Sequence, residues 1–290
     1  GDIQRGAQMP PIYLDYNATT PISPEVADAM RPFLDGMFGN PSSSHWYGRQ
    51  AGRTVASARR AVAELLGCDP DEIVFTSGGS ESNNLAIKGV ASALRDRGDH
   101  IITSSIEHPA VLEVCRHLEG EGFRVSYLPV DAEGLVSVDD LKRAIGPSTV
   151  LVSIMHANNE TGTIQPIERL AAEASERGVL FHCDAAQSVG KLAVDVRKMG
   201  VDLLSVAGHK FYAPKGIGAL YVRRGVRLAK LIHGADHERD LRAGTENVLE
   251  IAGLGKAAET ALKDLGPNSE HMREMRDRLE EGLVARIPDM

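Results

Sequence analysis

Short runs of consecutive apolar residues alternate along this chain with longer stretches in which apolar residues recur every three or four positions. The short runs predict strands at Ile73–Phe75, Ile101–Ile102, Arg124–Leu128, Val150–Ile154, Val179–Cys183, Leu203–Val206 and Ala219–Val222. The longer stretches predict helices at Pro24–Asp35 with Ser23 as cap, Arg49–Leu66 closed by Gly67, Glu81–Leu94, from about Pro109, Val138–Ile145 and Ile167–Glu176. From Leu249 the pattern turns helical only, with helices expected at Leu249–Leu265 and about Glu270–Ala285. Strand-helix alternation with strands apolar almost throughout implies an α/β fold: a mostly parallel sheet sandwiched by helices. Such sheets bind ligands beyond the carboxyl ends of their strands, so the residues that follow strands are the candidates for chemistry.

Ser205–Gly218 reads SVAGHKFYAPKGIG, an apolar run that ends at His209-Lys210. A lysine beside apolar surroundings favours its neutral amine, which can form a Schiff base with an aldehyde cofactor; a solvent-facing loop lysine is the alternative. Thr76-Ser77-Gly78-Gly79-Ser80-Glu81 lies between a strand and a helix, where small residues and free N–H groups suit a phosphate, or form an ordinary tight turn. Asp184 follows the Val179 run and could face a protonated pyridine nitrogen, with Gln187 near a ring oxygen, or could cap the next turn. His108 could lie over an aromatic ring and move protons, or simply open a helix. Asn158-Asn159-Glu160-Thr161-Gly162 and Arg242-Ala243-Gly244-Thr245-Glu246-Asn247 offer polar groups after the Val150 run and before the last helices. His233 and His237 have no third ligand at a useful spacing, so no metal is expected. Together, the phosphate cradle, the strand-end aspartate, the stacking histidine and the lysine are what pyridoxal phosphate needs.

Composition narrows the class. The chain has 290 residues, 42% hydrophobic and 25% charged, and a net charge of -8, so neither nucleic acid nor a membrane is an expected partner. GDIQRGAQMPP has no apolar centre and reads as an N-terminal extension (1–11) rather than a signal peptide. Cys68, Cys115 and Cys183 form no CxxC pair, which suits reduced thiols in a cytoplasmic setting.

Longer motifs add a resemblance over almost the whole chain. YLDYNATTP (13–21), GNPSS (39–43), FTSGGSESNN (75–84), SSIEH (104–108), MHANNETG (155–162), DAAQSVGK (184–191), GHKFYAPKGIGALYVR (208–223) and RAGTEN (242–247) resemble the cysteine desulfurases of the NifS/IscS type, close to selenocysteine lyases. The resemblance implies the class V aminotransferase-like architecture of pyridoxal phosphate (PLP)-dependent transferases, fold type I. It implies pyridoxal 5'-phosphate held as a Schiff base by Lys210, stacked on by His108, paired with Asp184 at the ring nitrogen and with Gln187 at the ring oxygen. Gly79, Ser80 and His209 would hold the phosphate, and Asn159 would lie near the ring and the substrate carboxylate. Thr245 would reach the phosphate of a second subunit, which implies a homodimer. The implied reaction takes sulfur from L-cysteine, leaves L-alanine and passes the sulfur as an enzyme persulfide to an acceptor or scaffold protein for iron-sulfur cluster or thio-cofactor assembly. Lys210 would also shuttle the Cα proton.

The chain departs from the family pattern at three places. Ala207 stands where a serine or threonine usually bonds the phosphate, Gly234-Ala235-Asp236 replaces a glycine-rich stretch, and the family's nucleophilic cysteine and carboxylate-binding arginine lie past Met290. A PLP-binding domain is therefore expected over 12–248, and the start of a smaller, incomplete C-terminal domain over 249–290. Selenocysteine lyase is the alternative within the class, and a non-catalytic dimeric scaffold the alternative outside it.

Overall fold

A computed structural model describes residues 11–287 of the protein; the expected extension lies, but for Pro11, outside the described residues. Seven strands form one sheet in the order β1-β7-β6-β5-β4-β2-β3: β1 Ile73–Thr76, β2 His100–Ser104, β3 Arg124–Leu128, β4 Thr149–Ser153, β5 Leu180–Asp184, β6 Leu203–Ala207 and β7 Gly218–Val222. Pairings among β3, β2, β4, β5 and β6 are parallel, while β7 runs antiparallel to both β6 and β1. All strands but β7 therefore point the same way and end on the same edge. Apart from one irregular turn at His237–Asp240, the α-helices of the described residues are α1 Pro24–Asp35, α2 Trp46–Leu66, α3 Gly79–Ala93, α4 Pro109–Gly120, α5 Val138–Ala144, α6 Ile167–Ser175, α7 Val196–Met199 and α8 Val248–Val284. None is long and apolar enough to cross a membrane.

Alternation along the strands sorts side chains between two cores. Phe75, Ile102, Val152, Phe181, Leu204 and Tyr221 pack beneath α1, α2, α6 and the first turns of α8. Val74, Ile101, Leu151, Leu203 and Leu220 pack beneath α3 and α4. The continuous apolar runs are thus explained by burial on both faces. On the α3 side the central strands also carry a polar seam. The His182 ring sits between Ser153 Oγ (2.8 Å from Nδ1) and Ser205 Oγ (2.9 Å from Nε2).

The expected caps form. Ser23 accepts a hydrogen bond from Val26 N, and Gly67 adopts the left-handed conformation (φ 69°) that ends α2. Three expectations are corrected, the first being that α2 starts at Trp46 and not at Arg49, with His45 as its cap. Helix α3 starts at Gly79, not Glu81, because Gly78 at φ 146° turns the chain out of β1 and lets a helix begin at once. The two C-terminal helices are one, α8, with Pro267 inside it. A proline removes a single i to i−4 bond, and both sides of this one are anchored. Leu254, Ala257 and Ala258 are buried before it, and beyond it the Ser269 hydroxyl donates to Lys191 O at 2.7 Å. Farther on, Met272, Met275 and Leu279 are exposed.

Complete burial drives the pKa of His182 from 6.5 down to about 3, so the seam holds a neutral ring. The unfolded chain takes up a proton below about pH 6.5 that the folded chain refuses until about pH 3. Stability should therefore fall with acid across that window, by about 1.4 kcal/mol per pH unit at its steepest. His182→Gln, which still bonds both serines, should lose this component of the slope. Urea unfolding at a series of pH values measures it; equal slopes in both proteins would assign the acid sensitivity elsewhere.

Candidate active site

The loops that leave β1, β2, β4, β5 and β6 border one cleft of about 790 Å³ at the carboxyl edge of the sheet. It is closed on one side by Asp15, Asn17 and Ala18 from the segment ahead of α1. Eight of the nine residues expected from sequence line it: Gly79, Ser80, His108, Asn159, Asp184, Gln187, His209 and Lys210. Thr245 does not; it lies exposed on the turn before α8.

Lys210 follows β6 on a single 3₁₀ turn, Gly208–Lys210. Two contacts fix that turn. Thr20 N donates to His209 O at 2.9 Å, and Tyr212 N donates to Thr20 Oγ1 at 2.8 Å. Tyr212 takes a left-handed φ of 69° to make the second contact, a conformation that is uncommon without a glycine. The Lys210 amine is half-buried and donates to Asn17 O (2.6 Å) and Ala18 O (3.0 Å). Burial lowers its pKa below the ordinary lysine value, against the pull of Asp184 and Asp15. The neighbouring His209 is also held below its usual value, first by burial and then by the Lys210 and Lys215 charges; its Nδ1 lies 3.0 Å from Thr19 Oγ1.

Asp184, at the end of β5, is 5% exposed. One carboxylate oxygen accepts from Ala186 N at 3.0 Å and the other from Asn83 Nδ2 at 2.7 Å. Sequence reasoning missed Asn83, although it lies inside a quoted motif. Its position four residues into α3 points it across the sheet edge, and only the fold brings it to Asp184. Its own Oδ1 is buried without a hydrogen-bond partner.

Helix α3 aims its N-terminus into the cleft, and no side chain caps it. The first N–H groups of a helix have no partner within the helix, so this end is a ready anion site. The backbone here is packed too closely for larger residues. A Cβ on Gly218 would lie 2.4 Å from Val206 O and 2.7 Å from Gly78 Cα, and one on Gly79 would press on Ala207 Cβ at 3.2 Å. Glu81 in the first turn is turned away to the Ser77 N–H and the Arg242 guanidinium. Burial pushes its carboxyl up, but those hydrogen bonds outweigh burial and leave it below the usual value. His108 caps α4: its Nδ1 accepts from Ala110 N at 3.1 Å, so the proton of the neutral ring sits on Nε2. Asn159 Nδ2 donates to Glu160 at 2.7 Å.

An amine with a lowered pKa, a strand-end carboxylate held by two donors and an uncapped helix N-terminus thus share one cleft. They match in kind the aldehyde, ring nitrogen and phosphate of pyridoxal 5'-phosphate, and the cleft has room for it. The residues present fit the group.

Comparison with known proteins agrees. The aminotransferase class-V family model matches residues 12–289. The chain is 54% identical to the cysteine desulfurase IscS of Dictyoglomus turgidum over 279 residues, 96% of this chain and 71% of that protein. The chain belongs to the cysteine desulfurase family. A solved NifS-like protein superposes with a TM-score of 0.92 at 43% identity, covering 94% of this chain and 76% of its own. A structure described as SspA in complex with cysteine gives 0.83 at 49% identity, covering 85% and 72%. The family cofactor is pyridoxal 5'-phosphate.

None of this desulfurase chain's three cysteines lines the cleft. Cys115 and Cys183 are fully buried and Cys68 is half-buried. Burial pushes the thiols of Cys68 and Cys115 up to about 12 and that of Cys183 well above its ordinary value. Since the thiolate is the reactive form, a thiol reagent at pH 8 should label the native protein slowly, at Cys68 alone, and the denatured protein at all three. Mass spectrometry of the labelled peptides checks this; rapid native labelling of Cys183 would contradict the buried assignment.

Proposed function

We propose that this protein takes sulfur from L-cysteine, leaves L-alanine and hands the sulfur to an acceptor thiol as a persulfide. The balance is thiol plus cysteine giving persulfide plus alanine. The observation that carries the reading is the convergence of Lys210, Asp184 and the open end of α3 on one cleft. Pyridoxal 5'-phosphate, when bound, supplies an electron sink for charge that develops at the substrate Cα.

The chain's own residues do the rest. The Lys210 amine would hold the cofactor and, once released, carry the proton at the substrate Cα; burial lowers its pKa, which brings the neutral form that both tasks need closer. Asp184, fixed by Asn83 and Ala186, would keep a proton on the ring nitrogen. Gly79, Ser80 and His209 would hold the phosphate. Gln187 would donate to the ring oxygen, His108 would cover the ring, and Asn159 would meet the ring and the substrate carboxylate. Ala207 offers no hydroxyl, so this phosphate site has one donor fewer than the family pattern, a loss of about 1 kcal/mol. The accepting thiol is one other than Cys68, Cys115 and Cys183, none of which lines the cleft.

Thr245 stands exposed and outside the lining of the cleft, and Tyr16 ahead of α1 and Trp46 and Tyr47 at the start of α2 are large exposed aromatic residues. Both features support a homodimer in which Thr245 serves the second subunit's phosphate. The free cysteines suit a cytoplasmic setting, and iron-sulfur cluster or thio-cofactor assembly is the proposed use of the sulfur. We assign residues 12–248 to the cofactor-binding domain and take 249–290 as the start of the smaller one.

Lys210→Ala should lose the visible absorption that added pyridoxal 5'-phosphate gives the wild-type protein, and alanine formation from cysteine should fall by about 10³-fold or more. Spectra and an alanine assay on the same samples decide it. An unchanged visible band in the variant would show that the aldehyde is held elsewhere.

A further inference from the structure

Lys191 sits behind the cleft wall on the turn that follows β5, and neither the proposed reaction nor the cofactor contacts give it a role. Its ammonium donates to Gln187 Oε1 at 2.9 Å. On its other side the Gln187 amide donates from Nε2 to Asn17 O at 2.9 Å. That same carbonyl accepts the Lys210 amine at 2.6 Å. Gln187 faces the cleft, while Lys191 does not line it.

The oxygen and nitrogen of a side-chain amide usually have to be assigned from their neighbours. Here both neighbours require one orientation. An ammonium has only donors, so the amide oxygen must face Lys191; a main-chain carbonyl only accepts, so the amide NH₂ must face Asn17 and the cleft. One NH₂ hydrogen serves Asn17, and the other is free. The holder is itself anchored, because Lys191 O accepts from Ser269 Oγ of α8 at 2.7 Å.

We propose that Lys191 is a positioning residue: it locks the Gln187 amide with its NH₂ toward the cleft, so that this wall presents a donor to an anionic oxygen of the bound ring. The inference rests on the pyridoxal phosphate reading above. Charge supports the arrangement. Burial, and then the Lys210 charge, lower the Lys191 pKa to about 8, so near neutral pH it is mostly an ammonium that cannot accept a hydrogen bond. Without it, one of the two partners that fix the amide is lost and only the Asn17 carbonyl opposes its turning.

Two measurements test the proposal. In the first, Lys191→Met and Lys191→Arg are saturated with pyridoxal 5'-phosphate and the visible absorption is titrated with pH. Losing a locked donor to an anionic oxygen should raise the midpoint in Lys191→Met by about one unit, while Lys191→Arg keeps the wild-type midpoint. The shift should vanish when Lys191→Met is made in a Gln187→Ala background, because Lys191 acts through that amide. An unmoved midpoint in Lys191→Met overturns the proposal, and so does an equal shift in the Gln187→Ala background, which would mark a direct effect of charge. The second measurement uses no cofactor. The side-chain NH₂ resonances of Gln187, assigned by their loss in Gln187→Ala, should shift in Lys191→Met and stay in place in Lys191→Arg. Identical resonances in wild type and Lys191→Met overturn the proposal even if the protein takes up no pyridoxal phosphate, a result that would defeat the cofactor reading separately.

Discussion

The Lys210 amine is held by main-chain carbonyls and not by a carboxylate, and the cleft depends on that choice. A carboxylate at hydrogen-bond distance would fix the lysine as an ammonium. The carbonyls of Asn17 and Ala18 orient the amine without cancelling its charge, so burial can still draw its pKa down. They come from a segment some 190 residues earlier in the chain, which is clamped to the lysine turn through Thr20. The left-handed Tyr212 belongs to the same clamp. Strain at such a position persists only where the surroundings over-determine it, and here two distant pieces of chain do so.

The sheet supplies the direction. Because β1, β2, β4, β5 and β6 end on one edge, each contributes the residues that follow it to a common volume, whatever their separation in sequence. That is why so much was legible. Each strand was predicted to within a residue or two at each end, and the chemistry-bearing residues were those just past strand ends. Gly79, Asp184 and Lys210 needed only that rule to be brought together. The boundary of α3 was harder, since Gly78 could equally have belonged to a longer turn. The unity of α8 was hidden because Gly266-Pro267 is a strong local break signal, while the contacts that override it are tertiary.

The residues that escaped the sequence reading are those whose role is a contact. Asn83 reads as one more polar position in a helix until the fold sets it against Asp184. Lys191 reads as a solvated lysine until Gln187 turns its amide oxygen to it. His182, flanked by Phe181 and Cys183, looks like a polar intrusion into a strand; the serines that satisfy it lie on neighbouring strands 29 and 23 residues away. Motif and period report what a residue is and which way it faces, but not what it meets.

Burial without neutralisation is costly, and three titratable groups buried behind the cleft are shifted toward their neutral forms. His182 is held neutral by a pKa of about 3, and burial also lowers His156. Glu107, wholly buried, is pushed up to about 8; Ser104 Oγ and Met155 N donate to one of its oxygens and the other has no partner. Asp184 differs from Glu107 in its partners, since both of its oxygens are met by donors, Ala186 N and Asn83 Nδ2. A neutral Glu107 spares the buried region the repulsion of a second negative charge near Asp184. Of the carboxylates that line the cleft, Asp15 and Glu160 are exposed and Asp184 alone is buried and held on both oxygens, an arrangement that suits a single protonated ring nitrogen.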